Sequence, residues 1–303
     1  GNDLGFEVEK ENILNFDPAS LVVEATVELP FEKLGKVSER IIINNEVFMH
    51  KDIYEAYTKT LNKVYPLYQN EDKGNVENLH TEYKEKKYYP EYIEDVKVVI
   101  PVFPGTNCEY DSEKAFLEAG ATPITVVIRN TRENDIEQSI EEFTKAIEES
   151  HIIMFPGGFS SGDEPDGSAK YIVNFLKNEK VKDAIHKHLA QKKLILGVCN
   201  GFQALLKSGL LPYGEVRELA EDDLTLYRND SYEHISTTAF TRVANTNSPW
   251  LQDFNIGDQH EVVFSHGEGK VVGLNINKFK HLVAFQYSDF DGNATLNGRF
   301  NPN

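Results

Sequence analysis

The sequence predicts an α/β protein, a mostly parallel sheet with helices on both faces, preceded by a small α+β unit. Beyond Val96, short apolar runs alternate with amphipathic stretches, the rhythm of repeated strand–helix–strand units. The strand candidates 96–103, 124–128, 151–155 and 194–198 are almost continuously apolar, as strands covered on both faces must be. Ahead of them lie two β-branched runs, SLVVEATV at 20–27 and RIIINNEVFM at 40–49, each bounded by turn formers.

Taken in order, the runs at 20–27 and 40–49 predict strands. Ile53, Tyr57, Leu61 and Val64 then fall at helical spacing and predict one apolar helix face that ends near Pro66. The stretch 69–95 is polar and charged, with Gly74, Asn75, Asn78 and Pro90, but Tyr83, Tyr88, Tyr89 and Tyr92 mark it as a strap lying on a surface. Ile136, Ile140, Phe143 and Ile147 share a helical face, with Asp135 placed to cap it. After Gly209 the alternation fades into β-like runs at 261–264 and 282–287, which predict an antiparallel extension. The division is therefore 1–68, a small α+β unit; 69–95, a linker strap; and 96–303, the main α/β domain, with residues 2–95 too poor in core to form a domain of their own.

Composition narrows the function. The 303 residues are 40% hydrophobic, with no apolar run near the ~18 residues of a membrane span, so a globular chain without membrane contact is expected. Forty-nine acidic against 31 basic residues give a net charge of -18, which repels phosphate backbones and argues against nucleic acid. Only two cysteines, Cys108 and Cys199, argue against a disulfide framework and against a cysteine-based zinc site, and a reducing compartment is expected. No secretory signal is read, and a cytoplasmic location is expected. Gly1, standing where no initiator Met precedes it, reads as a cleavage scar on a piece of a longer chain.

The strongest chemical signal is Gly197-x-Cys199-x-Gly201, directly after the run 194–198 and directly before the helical stretch 202–207. It is a nucleophile elbow with Cys in the nucleophile's place. Such a turn strains the nucleophile's backbone, and only glycine on either side leaves room for the crossing chains. The following helix N-terminus favours a thiolate and supplies N–H groups to an oxyanion. The bland alternative makes Cys199 a small core residue.

The preceding strand ends in Pro156-Gly157-Gly158, which a parallel sheet delivers to the same edge, opposite Cys199, where it either completes an oxyanion hole or is a plain turn. His266 and Glu268, in Phe264-Ser-His-Gly-Glu-Gly-Lys270, point to one side if the segment is a strand; they either present an imidazole to a thiol or serve as hydrogen-bonding supports. His186 and His188 read as solvated helix surface, and Cys108 as structural.

PVFPGTNCEYDSEKAF, MFPGGFSSGDE and ILGVCNGFQALLKSGLLP, in this order, resemble the class I glutamine amidotransferase domain of the phosphoribosylformylglycinamidine synthases, over 96–303. The segment 20–66 resembles the end of the synthetase domain that precedes it in the single-chain form. The resemblance implies a flavodoxin-like fold in which Cys199 attacks glutamine, forms a γ-glutamyl thioester and releases ammonia. The backbone at Gly158 and Asn200 would hold the oxyanion, Phe159 and Gln203 would help to line the glutamine pocket, and Gly157 would serve one or the other. The implied partner is the synthetase part of the same enzyme. ATP and magnesium are expected only there, with no cofactor and no metal in this chain. The family's catalytic His and Glu follow an Asn-Pro-Asn segment, whereas this sequence stops at Asn301-Pro302-Asn303, so the catalytic set is expected to be incomplete. A thiol hydrolase or peptidase of similar fold, and an inert docking module, are the competing readings.

Overall fold

The computed structural model describes residues 4–15, 20–60, 76–81, 93–162, 169–274, 276–296 and 301. The amino-terminal unit contains β1 (Gly5–Val8), β2 (Gly35–Ser38), β3 (Ile41–Ile43), β4 (Glu46–Phe48) and α1 (His50–Lys59), with the sheet order β2-β1-β3-β4. The predicted strand at 20–27 does not form. Leu21, Val22 and Val23 lie exposed in irregular chain, because β propensity without a pairing partner does not hold a strand. The run 40–49 is a hairpin rather than one strand. Asn44 and Asn45 take φ of 50° and 70°, the two-residue turn whose twist matches the flanking strands.

The helix face predicted for α1 is also displaced. Tyr57 is 82% exposed and Ile53 is exposed, while Tyr54 turns inward, its hydroxyl donating to the Thr238 carbonyl and its ring meeting Phe290 edge-on at 5.5 Å. Leu61, Val64 and Pro66 lie outside the described residues. Of the strap, 76–81 is tied along the main domain. The Val76 and Thr81 amides donate to the Ala294 and Ala244 carbonyls, and the Leu79 amide to Gln286 Oε1.

The main domain is built on β5 (Lys97–Val102), β6 (Thr122–Val127), β7 (Ile152–Phe155) and β8 (Leu194–Gly197), all parallel in the order β6-β5-β7-β8. Val98, Val99 and Ile100 are fully buried, so alternate side chains of β5 serve opposite faces. One face carries α3 (Asp135–Glu149), α4 (Lys170–Leu176), α5 (Glu179–Ala190) and α6 (Asn200–Lys207), with Phe143, Phe175, Ile185 and Leu205 in its core. The other is covered by α2 (Glu109–Glu118), through Phe116, and by Trp250. Asp135 is the first helical residue of α3 rather than its cap. Its carboxylate instead accepts from the Thr131 and Arg132 amides of the incoming loop.

The remaining strands are β9 (Thr225–Arg228), β10 (Ile235–Val243), β11 (Gln259–His266), β12 (Glu268–Val272) and β13 (Phe285–Ser288), paired antiparallel as β11-β10-β13 and β12-β9. Among the described residues no helix is long and apolar enough to cross a membrane.

Candidate active site

The sheet order reverses between β5 and β7, and the edge beyond their carboxyl ends is where an open α/β sheet usually has its binding crevice. The loop after β5 meets the turn after β7 through a bridge between Thr106 and Gly158. The Asn107 amide donates to the Gly157 carbonyl, and the Phe159 amide to the Gly105 carbonyl. Gly158 occupies the bridge position whose own amide is not spent on this pairing. Its φ is +142°, and a β-carbon there would fall 2.6 Å from the Gly105 carbonyl oxygen, so no other residue fits the close approach.

Cys199 stands between β8 and α6 with φ 54° and ψ −114°, a conformation that costs a non-glycine residue about 1–3 kcal/mol. Two contacts enforce it. A β-carbon at Gly201 would fall 2.0 Å from the Phe155 carbonyl oxygen, and one at Gly197 would fall 2.8 Å from the Gly201 backbone. The strand-to-helix crossing is thus tight enough to require both glycines. Cys199 is exposed at the sheet edge and caps α6, whose first N–H groups have no intrahelical acceptor.

Gly157 faces it directly: a β-carbon at Gly157 would lie 3.2 Å from Cys199 Cβ. Phe159 is exposed beside this turn. Asn200 is 2% exposed and spans the crevice, its Oδ1 accepting from the Ser160 amide at 3.3 Å while its Nδ2 donates to Gln203 Oε1 at 2.9 Å. Gln203 Nε2 in turn donates to the Glu268 carbonyl at 2.8 Å. Both ends of the Gln203 amide are therefore engaged in bracing α6 against β12. Sequence reasoning missed this brace, because its members are brought together only by the fold.

His266 and Glu268 do not act on each other. They belong to different sheets, His266 pairing with Ile235 and Glu268 with Arg228, because the chain leaves one sheet for the other at Gly267. His266 Nδ1 bonds Asn229 Oδ1 at 3.0 Å, and the Glu268 carboxylate holds Lys207 at 2.5 Å. Burial pushes the His266 imidazole below its ordinary pKa, with His234 adding to the effect. Among the described residues, no imidazole or carboxylate hydrogen-bonds the Cys199 thiol, and no three His, Cys, Asp or Glu side chains converge to hold a metal.

His186 and His188 are not surface groups. His188 is buried with Nε2 on the Leu194 carbonyl at 3.0 Å, and His186 Nε2 accepts from the Val216 amide at 2.9 Å. Cys108 caps α2 at the crevice, and its thiol donates to Asn107 Oδ1 at 3.1 Å. Burial raises its pKa above the ordinary thiol value, with Cys199, Asp111 and Glu109 adding to the effect.

A thiol on a strained strand-to-helix elbow, opposite a glycine turn with an unspent amide, is the arrangement that thiol-dependent acyl-transfer enzymes of α/β type use. The sequence profile of the CobB/CobQ-like glutamine amidotransferase domain matches residues 95–303. The chain is 34% identical over 221 residues to phosphoribosylformylglycinamidine synthase subunit PurQ of Methanococcus maripaludis, covering 68% of this chain and 72% of that one. It is 31% identical over 203 residues to the PurQ subunit of Sulfurimonas denitrificans, covering 65% and 77%. The structure of PurLQS from Thermotoga maritima contains a chain 25% identical to this one, with a TM-score of 0.44, covering 68% of this chain and 84% of that one. The chain belongs to the glutamine amidotransferase family of the phosphoribosylformylglycinamidine synthase PurQ subunits.

Proposed function

We propose that this chain is the glutaminase part of phosphoribosylformylglycinamidine synthase in purine biosynthesis, and that Cys199 is its nucleophile. The observation that carries the reading is the Cys199 backbone at φ 54°, held by Gly197 and Gly201 and facing Gly157. The Cys199 sulfur adds to the side-chain amide carbon of glutamine, and the carbonyl oxygen becomes an oxyanion within reach of the Gly158 and Asn200 amides. The C–N bond then breaks, and ammonia leaves with the proton that the Cys199 thiol gave up. Water cleaves the γ-glutamyl thioester to glutamate and restores the thiol. Phe159, exposed beside the turn, lines the glutamine pocket. The ammonia passes to a synthetase partner, where ATP and magnesium serve the formation of the amidine. None of the steps assigned to this chain calls for a cofactor.

The test is covalent capture. A diazoketone derived from glutamine, followed by peptide mass spectrometry, should mark Cys199, be blocked by excess glutamine and fail with Cys199→Ser. Modification of Cys108 instead, or labelling that glutamine does not slow, overturns the assignment.

A further inference from the structure

The reaction employs one of the two cysteines, yet the fold brings the other to the same place. Cys108 ends the loop after β5, Cys199 ends the turn after β8, and Gly157, leaving β7, stands between them. A β-carbon at Gly157 would lie 3.3 Å from Cys108 Sγ and 3.7 Å from Cys199 Sγ. Because residue 157 is glycine, that point is empty of side chain and both sulfurs border the same gap. Two free thiols thus share one crevice, with Cys199 exposed and Cys108 more enclosed.

We propose that Cys108 is a resolving thiol, which closes a reversible Cys108–Cys199 disulfide when a hydroperoxide oxidises Cys199. The exposed Cys199 meets the oxidant first. Its thiolate attacks the O–O bond: an S–O bond forms, the O–O bond breaks, and hydroxide leaves to become water. The Cys108 thiol then gives up its proton and attacks the Cys199 sulfur. The S–S bond forms, the S–O bond breaks, and the departing hydroxide takes that proton as the second water. Two thiols lose two electrons and one peroxide gains two. The thiol of Cys108 must first leave Asn107 Oδ1, and the gap above Gly157 gives it the path. In the disulfide the nucleophile is masked and protected from over-oxidation, a consequence that rests on Cys199 being the glutaminase nucleophile.

Reduced protein is treated with a small excess of hydrogen peroxide, its remaining thiols are blocked, and it is digested without reductant. The expected product is a peptide pair joined through Cys108 and Cys199, together with loss of labelling by the glutamine diazoketone that dithiothreitol fully reverses. Cys108→Ser should label normally before peroxide; after peroxide its Cys199 should proceed to sulfinic acid and stay unlabelled despite dithiothreitol. Sulfinic acid at Cys199 of the unaltered chain without the joined pair, a dimer joined between chains, or full recovery of Cys108→Ser overturns the proposal. If the pair forms but Cys199 of the reduced protein never takes the diazoketone, the glutaminase reading fails and the thiol pair stands.

Discussion

The side-chain amides of Asn200 and Gln203, neighbours on the first turn of α6, are joined at 2.9 Å, and each reaches outward to a different element. Asn200 takes the Ser160 amide from the turn that follows β7, and Gln203 gives to the Glu268 carbonyl of β12. The helix that follows Cys199 is thereby fixed to the glycine turn on one side and to the antiparallel extension on the other. The separation between Gly157 and Cys199 is set by side chains as well as by the sheet.

Asn200→Asp keeps an oxygen for the Ser160 amide but has no N–H for Gln203. Asn200→Ala loses both bonds in a buried place, a change worth about 1–3 kcal/mol. Both variants are expected to slow saturable labelling of Cys199 by the glutamine diazoketone, Ala at least tenfold. Alkylation by iodoacetamide, which needs no bound glutamine, should barely change. Equal slowing of both reagents would reduce Asn200 to a purely structural part.

Lys207 and Glu268 form the most enclosed ion pair among the described residues, with side chains 17% and 5% exposed. Removing the ammonium beside so buried a carboxylate is expected to cost on the order of 3 kcal/mol. Lys207→Met should therefore lower the urea midpoint strongly, and adding Glu268→Gln should restore part of the loss. A Lys207→Met protein as stable as its parent would show that the pair contributes nothing.

What was legible in the sequence is what is written locally. The elbow needs a buried strand, two glycines and a helix within a few residues, and all lie between Leu194 and Lys207. The hairpin at Asn44 and Asn45 hid inside a β-branched run, because Asn-Asn is a weaker turn signal than Asn-Gly. Helical spacing in α1 chose Ile53 and Tyr57, but the partner surface lies on the side of Tyr54. His188 looked solvated among lysines, since its acceptor, the Leu194 carbonyl, belongs to the next strand. Cys108 carries no local sign of Cys199 at all. Their approach follows from β5, β7 and β8 sharing one edge.

Two glycines of the site should respond differently to the same methyl group. At Gly201 the new carbon would meet the Phe155 carbonyl at 2.0 Å, a backbone atom that cannot rotate away. Gly201→Ala is expected to lose more than about 3 kcal/mol and fail to hold the elbow. At Gly157 the neighbours are Cys108 Sγ at 3.3 Å, which can rotate, and Cys199 Cβ at 3.2 Å, which is fixed to its backbone and needs to yield by only a few tenths of an ångström. Gly157→Ala should fold within about 1.5 kcal/mol of its parent but lose most glutamine-dependent labelling. Urea denaturation read beside labelling separates the two effects, and a fully reactive Gly157→Ala protein would mean that this face does not receive substrate.

The acid limb of stability should be set first by histidine. Burial pushes His188 below its ordinary pKa, against the opposing bond to the Leu194 carbonyl, and burial likewise depresses His266. Below the unfolded value of about 6.5, the unfolded chain takes up protons that these folded imidazoles refuse, so stability falls as pH drops. The slope is at most about 1.4 kcal/mol per pH unit for each such proton, and it flattens below the folded values. Asp135 and Asp223 are depressed chiefly by hydrogen bonds from Thr131 and Tyr213. Their contribution is complete above about 3.9 and is lost as pH falls through their folded values, a more acidic window. Urea midpoints measured downward from neutrality should therefore begin to fall near pH 6.5. His188→Gln, which keeps an N–H for the Leu194 carbonyl but cannot titrate, should remove up to one proton's worth of that slope. An unchanged slope in His188→Gln would assign the acid limb to other groups.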